Sequence, residues 1–163
     1  MNKKIAKIAM LLSISVVLAL IESFIPLFNM MPGIKLGLAN IVIVFVIYDL
    51  SFKDAIYISI LRVILIGILR TGLFSISFFF SLVGALLSVI TMYLVKRYSK
   101  LSVVGVSISG AISHSIGQII VAMLFLSNIN IIYYLPILLI SSIITGIIVG
   151  MVSDRLLNYY KST

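Results

Sequence analysis

Ile5-Ala-Lys-Ile-Ala-Met-Leu-Leu-Ser-Ile-Ser-Val-Val-Leu-Ala-Leu-Ile-Glu-Ser-Phe-Ile-Pro-Leu27 is the stretch that decides the class of the fold. It is almost continuously apolar, and a helix of this length covers the ~30 Å hydrocarbon core of a bilayer. Lys3, Lys4 and Lys7 cluster at its start, as in a secretory signal. The run is nevertheless longer than the about 7–15 residues of a signal's apolar region, and no small-x-small cleavage motif closes it. It reads as a retained first membrane helix.

The rest of the chain has the same character. Of 163 residues, 63% are hydrophobic and 10% charged, and the mean hydropathy is +1.34. A soluble domain carries about 25% charged residues, so this chain has too little polar surface to face water on all sides. Six helices of ~20 residues would consume most of the length and leave short connections, with no room for a soluble catalytic domain. We expect an all-α, polytopic membrane protein that forms one integral domain over residues 1–163. Its spans are expected at about 5–27, 36–50, 53–70, 75–95, 103–126 and 132–157.

The punctuation agrees with these spans. Pro26, Pro32 and Gly33 end the first helix. Ser51, with Asp54 three residues later, forms a capping pattern for the third. Arg70-Thr-Gly72, the basic run Lys96 to Lys100 and Ser127 to Asn130 close the third, fourth and fifth. The second is the shortest, tilted or entered from a partly buried loop. No internal repeat is evident, which gives no support to an inverted-repeat transporter.

The net charge of +8 would point to nucleic acid in a soluble protein; in a membrane protein it reports topology. With the N-terminus inside, Lys3, Lys4, Lys7, Lys53, Lys96, Arg97, Lys100, Arg155 and Lys161 are cytoplasmic, nine of the twelve basic residues. Lys35 and Arg70 fall outside, and Arg62 lies within a span. Tyr48, Tyr93, Tyr98, Tyr133, Tyr134, Tyr159 and Tyr160 fall at span ends, where amphipathic rings sit among headgroups. The expected topology is six spans with both termini cytoplasmic, in a cell membrane.

Small residues recur at helical spacing: Gly105, Ser109, Ser113 and Gly117 in the fifth span, and Gly146 with Gly150 in the sixth. Such stripes let helix backbones approach closely, and internal packing is their plainest use. In the first span Ala9 and Ser13, then Ser15, Ala19 and Ser23, repeat the spacing; the face of Ala9 and Ser13 is the candidate docking surface for a partner membrane protein.

The chemistry is carried by few residues. There is no cysteine and one histidine, which excludes disulfides, thiolate sites and multi-His metal clusters. Placing a charge in the membrane costs about 2.5–3.5 kcal/mol on insertion scales, so Arg62, midway along the third span, needs a reason. Two stay open: neutralising Glu22, or meeting a ligand. Asn40, His114 and Gln118 also fall in the outer half, the last two on one helix face. Cations Lys35, Arg62 and Arg70 outnumber Glu22 there, the pattern of an outward-facing pocket for a small anionic molecule.

The stretches Met31-Pro-Gly-Ile-Lys-Leu-Gly-Leu-Ala-Asn40, Gly84-Ala-Leu-Leu-Ser88 and Gly105 to Ile120 resemble the family described as Gx transporter, or heptaprenyl diphosphate synthase component I. The architecture also resembles the substrate-binding S-components of energy-coupling factor (ECF) transporters. That resemblance implies a vitamin-like or cofactor-like ligand near the outer face, a flavin or a quinone or isoprenoid precursor. It further implies docking through the first span onto a coupling transmembrane subunit with two ATPases. Lys35, Asn40, Arg62, Arg70, His114 and Gln118 become the binding candidates. The alanine-rich docking pattern of S-components is altered here by Ser13 and Ser15.

The other family description implies a noncatalytic membrane partner of a polyprenyl diphosphate synthase. The chain itself is no such enzyme: clustered carboxylates are needed to hold Mg²⁺ on a diphosphate, and Glu22, Asp49, Asp54 and Asp154 stand apart. No phosphate-binding loop of the GxxxxGK[ST] type occurs, so ATP would be used by another chain. No metal, cofactor or nucleic acid is expected.

Overall fold

The computed structural model describes residues 2–25 and 36–162. The proline-rich end of the first predicted span and Lys35 therefore lie outside the described residues. The described residues form six α-helices and no strand: α1 (Asn2–Ser23), α2 (Leu38–Asp49), α3 (Phe52–Ile66), α4 (Ile76–Tyr98), α5 (Val103–Leu126) and α6 (Leu135–Ser162). A π-helical turn, Gly67–Thr71, extends α3, and a 3-10 turn, Ile129–Tyr134, leads into α6. The first helix ends at Ser23 rather than at 27, with Phe24 and Ile25 closing on the carbonyls of Ile21 and Glu22.

A hydroxyl cap starts α3 where the sequence places it. Ser51 accepts from the Asp54 amide at 3.3 Å and donates to its carboxylate at 2.6 Å, while Ser75 and Ser102 cap α4 and α5 by accepting from the amides of Phe78 and Gly105. Each cap satisfies an amide that the first helical turn leaves without a partner.

Among the described residues, Lys3–Ser23, Ile76–Tyr98, Val103–Leu126 and Ile129–Ser162 are the four segments long and apolar enough to cross a membrane. The other two helices differ from the expected spans. α2 has 12 residues, about 18 Å at 1.5 Å per residue, well short of the hydrocarbon core. α3 and its π turn together reach about 30 Å but carry Lys53, Asp54, Arg62 and Arg70.

α2 is the centre of the bundle. Ala39, Val42, Ile43, Val44, Val46 and Ile47 are buried, and the helix packs on α1, α3 and α6 with lighter contact to α4 and α5. Its core neighbours include Leu11, Ile58, Val89, Met92, Val106 and Val149. α4, α5 and α6 form the most closely packed wall. There the glycines act as the sequence predicts: a Cβ on Gly146 would stand 2.8 Å from the Ile108 Cα, and one on Gly150 2.6 Å from the Val104 Cα. Gly117 meets Gly84 across α4 and α5 with similar closeness. Gly117, Gly146 and Gly150 thus serve packing between helices, whereas Gly105 meets only Leu101, just ahead of its own helix.

α1 is peripheral and divided by face. Ser15 is buried and donates to the Ala39 carbonyl at 3.5 Å, whereas Ala9 and Ser13 are exposed beside Met10, Ile14 and Val17.

One end of the bundle gathers charge. Lys4 pairs with Asp54 at 2.9 Å and Lys7 with Asp49 at 2.5 Å, Lys7 also donates to the Tyr160 hydroxyl at 2.8 Å, and Lys96 donates to the Ile47 carbonyl at 2.6 Å. The starts of α1 and α3 thus meet the ends of α2, α4 and α6 at this basic end.

Candidate functional site

The brevity of α2 creates the site. Ser153 donates to the Ile41 carbonyl at 3.4 Å, and Phe45 meets Tyr160 edge-on with ring centroids 5.4 Å apart. α2 therefore runs beside the last half of α6 alone, and the surrounding helices continue past its first residue. The space they enclose beyond Leu38 is a cavity of ≈ 460 Å³ lined by residues of all six helices. Its position away from the basic end follows from the direction of α2, whose last turn joins the Lys7–Asp49 pair.

Arg62 projects from α3 into this cavity and is buried, 7% exposed. Its Nη1 donates to Asn40 Oδ1 at 3.3 Å, so the first turn of α2 orients it. The sequence left open a pairing of Arg62 with Glu22; no direct ion pair joins them within 4.0 Å, although the Glu22 charge acts on Arg62 across the cavity. Glu22 is engaged elsewhere. Its Oε1 accepts from the Gly37 amide at 2.8 Å and its Oε2 from the Leu38 amide at 3.0 Å. A carboxylate at the start of a helix satisfies free amides and the positive end of the helix dipole together. Gly37 makes this geometry accessible, with φ of 73° in the left-handed region that glycine adopts without steric cost.

Arg70 lies on the π turn at the end of α3 and is exposed. It donates to the Ser23 hydroxyl, and its guanidinium lies 4.9 Å from the Phe24 ring centroid. These contacts tie the ends of α1 and α3 together at the rim of the cavity.

From α5, His114 and Gln118 face the same space. His114 packs on Gly84, where a Cβ would come within 2.9 Å of the imidazole. Gln118 is 4% exposed, and its Oε1 has no hydrogen-bond partner. Ser88 Oγ is likewise buried without a partner at the cavity wall, and the Ser115 and Ser142 hydroxyls bond to each other at 2.5 Å.

The structure thus brings Asn40, Arg62, Arg70, His114 and Gln118 around one cavity, while Lys35 falls outside the described residues. Sequence reasoning missed the hydroxyl lining from Ser77, Ser81, Ser107, Ser141 and Thr145. A signal existed, since Ser77, Ser81 and Ser88 share one face of α4 at helical spacing. Among the described residues Glu22 is the carboxylate that lines the cavity, and Asp49 and Asp54 are held by lysines at the opposite end. The arrangement supplies cationic and neutral hydrogen-bond donors in a largely apolar enclosure, which suits binding an anion. It does not supply the clustered carboxylates that Mg²⁺-diphosphate chemistry requires.

A family model described as heptaprenyl diphosphate synthase component I matches residues 11–156. No curated protein and no solved structure matches.

Proposed function

The chain belongs to the heptaprenyl diphosphate synthase component I family, and on that premise we propose that it is a noncatalytic, membrane-embedded subunit that holds a small anionic molecule for a partner protein. The observation that carries the reading is Arg62: a buried guanidinium in a cavity, bonded to Asn40 and to no carboxylate. A cation so placed is costly, and an oxyanion in the cavity would complete its hydrogen bonding. The family description supports a polyprenyl diphosphate synthase as partner, with the catalytic carboxylates on that second chain.

A second reading, an S-component-like subunit of an ATP-driven ECF transporter, is favoured by two features. The cavity lies at the end away from the basic cluster, which is the outer side if the bundle crosses six times with both termini cytoplasmic. Ala9 and Ser13 face outward from α1, where close approach of a coupling subunit is sterically open. The ligand would then be vitamin-like or cofactor-like, such as a flavin or a quinone or isoprenoid precursor.

Native mass spectrometry of the mildly solubilised protein tests both readings together. A bound anionic small molecule lost in Arg62→Ala supports the pocket. Co-purification of a soluble Asp-rich synthase supports the first partner, and co-purification of a coupling membrane subunit with ATPases supports the second. Ligand retained in full by Arg62→Ala would overturn the assignment of the site.

A further inference from the structure

The basic end holds more positive charge than its own carboxylates neutralise. Asp49 is paired with Lys7 and Asp54 with Lys4, while Asp154 accepts from the Asn158 side-chain amide at 3.4 Å. Lys53 and Lys96 have no carboxylate within 4.0 Å among the described residues. Both line one groove of ≈ 420 Å³, formed where the α2–α3 corner meets the last turns of α4.

The donors of this groove are held in place. Lys96 reaches from α4 to the end of α2, where it donates to the Ile47 carbonyl at 2.6 Å and lies 4.4 Å from the Tyr48 ring centroid. That bond caps α2, since the last carbonyls of a helix lack partners and its dipole favours a cation there; it leaves two N–H donors on the ammonium group. Tyr93 stacks on Phe52 with ring centroids 4.3 Å apart and accepts from Arg97 Nη1 at 3.2 Å, so its own hydroxyl proton is available to an acceptor. Lys53, exposed on the first turn of α3, adds a second ammonium. The surface leading away from these donors is apolar. Tyr57 and Leu61 follow Lys53 at i+4 and i+8 along α3, Ile90 precedes Tyr93 by one turn of α4, and each is exposed.

We propose that this groove binds the phosphate of an anionic glycerophospholipid. Lys53, Lys96 and Tyr93 donate to the phosphate oxygens, and the acyl chains lie along α3 and α4 over Tyr57, Leu61 and Ile90. Phosphate donors joined to an apolar helix face select a lipid over a soluble phosphate, because the second part of the surface has nothing to offer a fully hydrated ion. The unneutralised cations, Arg97 among them, disfavour a headgroup that carries its own positive charge. The groove lies at the end of α2 opposite the Arg62 cavity, so it stands independently of the anion-pocket reading.

Native mass spectrometry of the full chain from mild detergent tests the site, with dioleoyl phosphatidylglycerol, dioleoyl phosphatidylcholine and glycerol 3-phosphate as probes. Wild type should hold one phosphatidylglycerol about tenfold more tightly than phosphatidylcholine, the scale of two cations beside an anionic lipid, and should not retain glycerol 3-phosphate. Lys53→Ala and Tyr93→Phe leave the Ile47 cap and the Phe52 stack in place, and each should weaken phosphatidylglycerol by roughly three- to fivefold. Lys53→Glu should abolish the preference. Arg155→Ala removes an exposed cation of α6 that lies outside the groove and should leave the preference intact.

Equal losses in Arg155→Ala and Lys53→Ala would mean diffuse attraction to a basic surface and would overturn the site. Equal retention of the two lipids overturns it as well, and glycerol 3-phosphate held as tightly as phosphatidylglycerol replaces the lipid by a soluble phosphate. Should the Lys53 variants fail to fold, thermal unfolding of wild type decides. A ligand that binds the folded state stabilises it, so phosphatidylglycerol must raise the midpoint above that in the same concentration of phosphatidylcholine; equal midpoints overturn the proposal.

Discussion

Arg62 and Asn40 show what a single hydrogen bond decides in this cavity. The guanidinium is planar and presents a fork of donors, of which Asn40 takes one at 3.3 Å; the remaining fork fits two oxygens of a carboxylate or phosphate, which a lysine ammonium matches poorly. Arg62→Ala should therefore lower affinity for inorganic pyrophosphate by roughly 10- to 100-fold, the range of a charged hydrogen bond, and Arg62→Lys should recover part of it. Titration calorimetry with a check of monodispersity separates this from instability. Arg70→Lys should cost less, because Arg70 is exposed at the rim and its charge is screened by solvent. Asn40, Arg62, His114 and Gln118 were legible in the sequence because a polar group in an apolar helix is expensive and so stands out. The partner of Glu22 was not legible. Its donors are the backbone amides of Gly37 and Leu38, and every residue but proline has such an amide, so only their position distinguishes them.

Among the elements, the α5–α6 contact makes the sharpest stability prediction. The Cβ of Gly150→Ala would fall 2.6 Å from a backbone carbon of Val104, so the helices must part. The cost should be about 1–3 kcal/mol, the usual penalty of overpacking, read as a lowered midpoint of thermal unfolding in detergent. α1 offers the contrast. Ala9 and Ser13 are exposed, so Ala9→Leu and Ser13→Leu should leave the isolated subunit folded and impair assembly with its membrane partner. Misfolding of both variants would mean the face serves packing. The glycine pattern of α6 was readable from spacing alone, because close approach of helices demands small residues four apart. The two faces of α1 were not separable in this way: Ser13 and Ser15 are equally small, and the placement of α2 beside one of them is what buries Ser15 and leaves Ser13 outside.

At the scale of the whole molecule, the gathering of Lys4, Lys7 and Lys96 with the helix ends they contact marks one side of the bundle. By the positive-inside rule we propose that this side faces the cytoplasm. Ser99 and Ser127 are both exposed, at opposite ends of the segment that contains α5, and the chain has no native cysteine. In intact cells Ser127→Cys should react with an impermeant thiol reagent and Ser99→Cys should not; the reverse pattern would invert the orientation. The sequence by itself determined that this is an all-helical membrane bundle with a basic end and with costly polar residues concentrated in a few helices. Those conclusions rest on the transfer of residues between water and lipid, a property each residue carries with it wherever it is placed. Only the tertiary structure decided that α2 stops short and leaves a cavity, that Glu22 caps α2 through two backbone amides, and that hydroxyls from α4, α5 and α6 line the same space. These depend on which helix ends meet. The meeting is set by packing between residues far apart in the chain, and no local spacing encodes it.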